Sequence, residues 1–359
     1  MQEIRSDVPD LDVPDLDVSD LDVSDLEEEL GRPGPGLVTE AADWPGDVVV
    51  LGAGGKTGTG ISSMARRALD AAGRDDVRVR AVSRWTDPRG RAALETLGVR
   101  TVAADLSDTA AVDALPDAAV VIHLVGAKFG TASAPEQAWM TNTVLPAFVA
   151  RRYHDARVVA LSTGNVYGMT APVTGGSRES DAPRPVGDYA VTCRGREQVF
   201  THAARERSTP VALIRLNYAV EPRYGVLADL ARTLLAGHAV DLGAGAVNVV
   251  WQRYANEVVL RSVPHATAPE PFVLNLTGPE TAGVRALATR LAHHLGVAAE
   301  FTGEEPATGL LADATLCHTL FGYPDRTLGQ LLALQARWIA EGGELWDRPT
   351  KFERRDGRF

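Results

Sequence analysis

The chain has 359 residues, of which 45% are hydrophobic and 23% charged, with a formal charge of −11. That length holds a sizeable core in one large domain or two modest ones. No apolar run is long enough to span a membrane. The charge is also unevenly placed. Residues 1–29 carry twelve acids against one base, Arg5, and the remainder balances at 35 bases and 35 acids. The body is therefore not a basic nucleic-acid binder.

The acidic segment repeats a five-residue unit. Asp7-Val8-Pro9-Asp10-Leu11 recurs from Asp12, then twice more with Ser19 and Ser24 replacing proline. A period of five fits neither helix nor strand, and dense like charge opposes compaction. Residues 1–36 are expected to be a disordered acidic tail and linker, ending in Gly31-Arg32-Pro33-Gly34-Pro35-Gly36. Such a tail could serve as an arm for a protein partner. The first residues lack a charged-then-apolar signal pattern, and Cys193 and Cys317 are not spaced as a metal or redox pair. A reduced, cytoplasmic setting is expected.

From Asp47 onward, short apolar runs alternate with helical stretches. Strands are predicted at 47–51, 77–83, 99–104, 119–125, 157–162 and 211–216. Helices are predicted at 60–72, 89–97, 109–115, 135–154 and 189–208. This alternation implies an α/β fold, a doubly wound parallel sheet of Rossmann type, over residues 37–216. Residues 217–359 read mainly as a smaller substrate lobe, with helices at 227–236 and 283–295 and a strand near 272–276.

Gly52, Gly55 and Gly58 follow the first strand and open the first helix. Glycines there let backbone N–H groups approach a pyrophosphate, and the helix N-terminus adds partial positive charge. The neighbouring Gly55-Lys56-Thr57 suggests a triphosphate loop, but that pattern needs glycine where Val50 stands. A dinucleotide is the expected ligand. Ser83 and Arg84 follow the second strand, where a base would accommodate a 2′-phosphate. Lys56 could add a second cation. Both favour NADP, with NAD the alternative.

Several ordered segments resemble one family, the extended short-chain dehydrogenases/reductases of the NAD-dependent epimerase/dehydratase type. They are the glycine turn, Asp105-Leu106, the strand end Val121-Ile122-His123-Leu124-Val125-Gly126, Asn142, and Leu161-Ser162-Thr163-Gly164-Asn165-Val166-Tyr167-Gly168. Tyr189 then aligns with the tyrosine of a YxxxK motif. The resemblance implies cofactor contacts from Gly52, Gly55, Lys56, Thr57, Gly58, Arg84, Asp105, Leu106, Leu124, Val125, Gly126, Asn142 and Tyr189. It implies Tyr189 as acid/base, with Thr163 bonding the same substrate oxygen. It also implies a dimer paired through the tyrosine-bearing helices.

One departure matters. The motif lysine, which in the family binds ribose and lowers the tyrosine pKa, is Cys193 here. Three readings stay open: an NAD(P)-dependent oxidoreductase or epimerase on a small hydroxyl or keto substrate such as a sugar nucleotide or sugar acid, a non-redox lyase or isomerase, or a catalytically silent NAD(P)-binding regulator. Candidate substrate contacts are Asn165, Asn217, Tyr218, Arg223, Trp251 and Arg253. No metal site is expected, since adjacent His293 and His294 diverge on a helix.

Overall fold

The structure is a computed structural model and describes residues 23–359, with side chains from Leu26 onward. The first three acidic repeats lie outside the described residues. Seven parallel strands form the central sheet: β1 (Val48–Leu51), β2 (Val79–Ser83), β3 (Arg100–Ala103), β4 (Val120–His123), β5 (Arg157–Thr163), β6 (Val211–Leu216) and β7 (Phe272–Leu276). Their spatial order is β7-β6-β5-β4-β1-β2-β3. This is the doubly wound α/β arrangement expected from the sequence. β1 shows why the strands read as continuous apolar runs. All four residues are fully buried, Val48 and Val50 in one apolar layer and Val49 and Leu51 in the other. Both faces of the sheet are covered, so strand alternation is apolar on both sides.

The order reverses where β1 lies beside β4, with Leu51 opposite His123. Ligands of such sheets bind in the crevice beyond the strand ends at this switch point. The strand near 272–276 joins the sheet as the edge strand β7, paired to β6 from Phe272 opposite Ala212. The stretch after 216 thus contributes an edge strand to the central sheet.

The expectation of disorder through residue 36 does not hold for its described part. α1 spans Val23–Leu30 and α2 spans Pro35–Ala41. Leu26, the last leucine of the repeats, is 1% exposed, and Leu30 is 4% exposed. These two lie four residues apart, on one helix face. They pack into the core that also holds Ile61 of α3 (Gly58–Ala71). Polar contacts fix the docking. Asn256 Nδ2 donates to the Leu30 carbonyl at 3.0 Å, and the Gly34 amide donates to Glu257 at 3.2 Å. Gly31–Gly36 is therefore a docked turn and helix start, not a free linker.

The helices α4 (Pro88–Thr96) and α5 (Thr109–Asp113) follow as predicted. The helix expected over 135–154 is interrupted. α6 (Pro135–Trp139) leads into a π-helical turn, Met140–Val144, before α7 (Leu145–Arg152). Such widened turns recur at functional sites, and this one carries Asn142. α8 (Gly187–Arg207) bears Tyr189. Later in the chain, α9 (Val226–Leu235) packs on α11 (Val284–Leu295), whereas α10 (Gln252–Arg261) packs on α3 and the N-terminal helices; α12 (Thr315–Phe321) and α13 (Leu328–Ala340) follow.

Truncating Leu26 to alanine is expected to lower the unfolding free energy by about 2–5 kcal/mol, the cost of a buried leucine cavity. Denaturant titration of the full chain measures this. A change within about 0.5 kcal/mol would mean that the leucine sits in solvent.

Candidate functional site

The glycine turn is built by close approach. Gly52 has φ +88, and a Cβ there would lie 3.1 Å from the Val125 amide nitrogen. A Cβ on Gly58 would lie 2.5 Å from the Ala53 Cα. Only glycine lets α3 start this near the end of β1. Thr57 is the N-cap, and its side chain makes no capping bond, so the first amides of α3 have no side-chain partner there. Leu124, Val125 and Gly126 continue β4 on the other side of the crevice, where the Leu124 amide donates to the Leu51 carbonyl at 2.9 Å.

Beyond β2, Ser83 faces Gly54 and Arg84 is exposed. Trp85, which sequence reasoning did not single out, takes φ +53 and donates its indole N–H to the Val102 carbonyl at 2.9 Å. Asp105 is held below its ordinary carboxyl pKa, mainly by hydrogen bonds from Ser107 and more weakly by Arg84. Leu106 is a core residue.

Lys56 does not join Arg84 in this region. Its side chain turns toward the other end of the crevice, donating to the Ala219 carbonyl at 2.8 Å and lying 4.2 Å from the Tyr224 ring centre. It lines a cavity of about 180 Å³ with Thr163, Asn165, Tyr189, Asn217 and Tyr218. Lys56 therefore drops out of the argument for a 2′-phosphate. Burial pulls its pKa down to about 7 against the opposing pull of Glu221.

Lys128, a second cation lining the cavity, had no recognised motif to mark it. It donates to the Thr350 carbonyl at 2.7 Å, and burial lowers its pKa to about 8. The segment from Trp346 to Phe359 lies across this end of the crevice. Thr350 is bonded to Asp229 at 2.6 Å, and the Phe359 ring meets Tyr189 edge-on with centroids 5.5 Å apart. This segment lacks helix or strand periodicity, which hid it from sequence reasoning.

The expected catalytic pair comes together. Thr163 ends β5 and accepts from the Asn165 amide at 3.2 Å and its side chain at 3.0 Å. Tyr189, near the start of α8, faces Thr163 and, one turn on, Cys193. Burial raises the Tyr189 pKa well above its ordinary value, and the neighbouring thiol adds to this. The Cys193 thiol is likewise raised by burial. Asn142 is fully buried. It accepts from the Ala127 amide at 2.8 Å and donates to the Ala127 carbonyl at 2.9 Å, fixing the loop after Gly126.

Three substrate candidates fall elsewhere. Trp251 is fully buried in the core. Arg253 lies on α10, bonded to Asp325 at 2.6 Å, to Glu257 at 3.2 Å and to the Arg32 carbonyl. It anchors the N-terminal helices instead of lining the cavity. Arg223 is engaged by Glu221 at 2.9 Å and by Glu27, and stacks over Trp346. Arg223 and Arg253 are engaged by groups distant in sequence, Glu27 and Asp325 among them, which local sequence cannot show. Among the described residues no group of three or more His, Cys, Asp or Glu side chains is arranged to hold a metal. No helix among them is long and apolar enough to cross a membrane.

No curated protein sequence matches the chain. Among solved structures, MoeE5 in complex with UDP-glucuronic acid and NAD is 23% identical, with a TM-score of 0.66 over 83% of this chain and 100% of that one. A UDP-glucuronic acid 4-epimerase from Bacillus cereus, bound to a fluorinated UDP-sugar and NAD, is 18% identical at TM-score 0.69, covering 82% and 99%. UDP-glucose 4-epimerase from Thermotoga maritima, with UDP-glucose, is also 18% identical, at TM-score 0.66 over 82% and 99%. At these identities the likeness is one of fold. Residues 48–248, more than half of the chain, match the NAD dependent epimerase/dehydratase family. With the sheet order, the glycine turn and that match in agreement, the chain belongs to the NAD dependent epimerase/dehydratase family.

Proposed function

We propose that the protein is a nicotinamide-dependent epimerase or oxidoreductase acting on a sugar nucleotide or sugar acid. The observation that carries this is the meeting of Thr163 and Tyr189 in one cavity beside the glycine turn. The cradle fits a dinucleotide, because the space a Cβ would fill at Gly52 and Gly58 is closed by backbone. Gly52, Gly55, Thr57 and Gly58 would hold the pyrophosphate, Asp105 and Leu106 the adenine side, and Leu124–Gly126 the far wall. NAD is the form bound in the MoeE5 and Bacillus cereus structures. With Lys56 turned away, Arg84 alone favours a 2′-phosphate, and NAD is the form we take. When bound, the cofactor supplies hydride acceptance and return.

The protein's own groups handle the proton. Thr163 and Tyr189 bond the substrate oxygen that gains or loses hydrogen. With its pKa raised, the Tyr189 phenol stays protonated at neutral pH, so its unaided role is to donate to a carbonyl oxygen. Lys56 and Lys128 line the cavity and no carboxylate does, which suits an anionic substrate. Both lysines lose charge between about pH 7 and 8, so this attraction fades above that range. The homodimer implied by the resemblance has support in Trp139, Met140 and Val191, exposed apolar residues on α6, the π-turn and α8.

Incubation with NAD and UDP-glucuronic acid or UDP-glucose, followed by chromatography of the sugar products, tests this reading. Wild type should form an epimer or an oxidised sugar. Tyr189→Phe should lose at least about 100-fold in rate while keeping its NADH affinity. Undiminished turnover in that variant, or none in wild type, would count against it.

Lys56→Met is expected to raise thermal stability most below pH 7. There the buried ammonium is charged in both states, and its burial penalty is fully present. The penalty fades as pH rises from the folded value of about 7 toward the free value of 10.5, where the two proteins should converge. Melting curves from pH 6 to 10 measure this, and a gap independent of pH would contradict it.

A further inference from the structure

The family motif places a lysine one helical turn after the tyrosine, and this chain has Cys193 there. A thiol carries no permanent charge. Something else must oppose the burial that holds the Tyr189 proton in place, if Tyr189 is to accept a proton as well as give one.

α8 offers a cation one step further along the same face. Residues i, i+4 and i+7 of a helix align, which brings Tyr189, Cys193 and Arg196 into one row. Arg196 is 5% exposed. Its guanidinium donates to the Leu161 carbonyl at 2.6 Å, two residues before Thr163 on β5. It also donates to Asn142 Oδ1 at 2.9 Å, on the π-turn. A Cβ on Gly126 would lie 2.8 Å from one of its nitrogens, so it sits against the cofactor-side loop after β4. Its Nε has no hydrogen-bond partner although buried. The guanidinium is thus bonded to β5 and to the π-turn and lies against the loop after β4.

The surrounding charges leave this cation uncancelled. His123 of β4 is fully buried, with neither ring nitrogen bonded, and burial together with Arg196 keeps it neutral. Glu197, next along α8, is taken by Arg215 at 2.8 Å, Arg194 at 2.7 Å and Ser162 at 2.7 Å. Cys193 stays a neutral thiol because burial raises it. Lys56 and Lys128 point at the Ala219 and Thr350 carbonyls, and the cation with the largest effect on the Tyr189 phenol is Arg196.

We infer that Arg196 is a positioning residue that supplies Tyr189 with the fixed positive charge the motif lysine would otherwise provide. The inference rests on Tyr189 being the proton-transfer group. It divides the lysine's two roles: the charge moves to Arg196 under the site, and the ribose contact is left to other groups. An arginine guanidinium, unlike a thiol, carries a permanent charge.

The test is a titration in the full chain with a fluorinated tyrosine, more acidic than the natural one, incorporated at position 189. Its phenolate absorbance gives the midpoint without substrate or turnover, so failure of the proposed reaction and failure of this inference are separately visible. Arg196→Met, and Arg196→Gln, which keeps donors for Leu161 and Asn142, should each raise the midpoint by about one pH unit or more, a tenfold change in acidity. Arg196→Lys should restore it. An unchanged midpoint in a folded neutral variant would overturn the inference. So would unfolding of both neutral variants with the Arg196→Lys midpoint displaced as well, since the charge would then serve the fold and not the phenol.

Discussion

The buried pair of Glu197 and Arg215 holds the site together. Arg215 comes from β6 and Glu197 from α8, with two bonds at 2.9 and 2.8 Å between side chains almost wholly removed from water. Ser162 of β5 donates to the same carboxylate, and Tyr167 accepts from Arg215 at 2.6 Å while donating to Asn275 of β7 at 2.8 Å. Burial alone would raise the Glu197 pKa, but Arg215 and Ser162 outweigh it and hold the carboxyl below its ordinary value. The network fixes the carboxyl ends of β5, β6 and β7 against α8. Thr163 is adjacent to Ser162, and Tyr189 stands two turns before Glu197. Their meeting is a consequence of this buried ion pair, which is specific in geometry because every lone pair has a donor.

The other half of the crevice is held by backbone approach instead of charge. Gly52 and Gly58 allow β1, β4 and α3 to converge, and Asn142 clamps the loop after Gly126 from the π-turn. The two halves join at Arg196, which shares Asn142 with the cofactor side and Leu161 with the catalytic side. A rigid site on strand and helix ends is thereby made without the motif lysine.

Much of this was legible in the sequence, and the reason is locality. Val48–Leu51 and the glycines after it announce themselves within ten residues, as do Thr163 and Tyr189 in their flanking segments. What was misread depends on direction or on distant partners. Lys56 lies in the turn as expected, but spacing does not say which way a long side chain bends. Trp251 and Arg253 read as substrate candidates because what engages them is far away in sequence: Arg326 lies over the Trp251 ring, and Arg253 bonds Asp325 and the Arg32 carbonyl. The docking of α1 was also concealed, since Leu26 and Leu30 are set among acids whose five-residue rhythm masks the four-residue helical spacing. Lys128 and the segment closing over Tyr189 obey no local pattern at all.

The central claim is that this chain binds a nicotinamide dinucleotide along the β1–β4 crevice with its reactive end at Tyr189. A structure of the full chain crystallised with NADH tests that most directly. The account predicts the pyrophosphate at the Gly52–Gly58 turn and the nicotinamide in the cavity shared by Lys56, Thr163 and Tyr189. A crevice that stays empty at saturating NADH, or a nicotinamide lodged away from Tyr189, would contradict it.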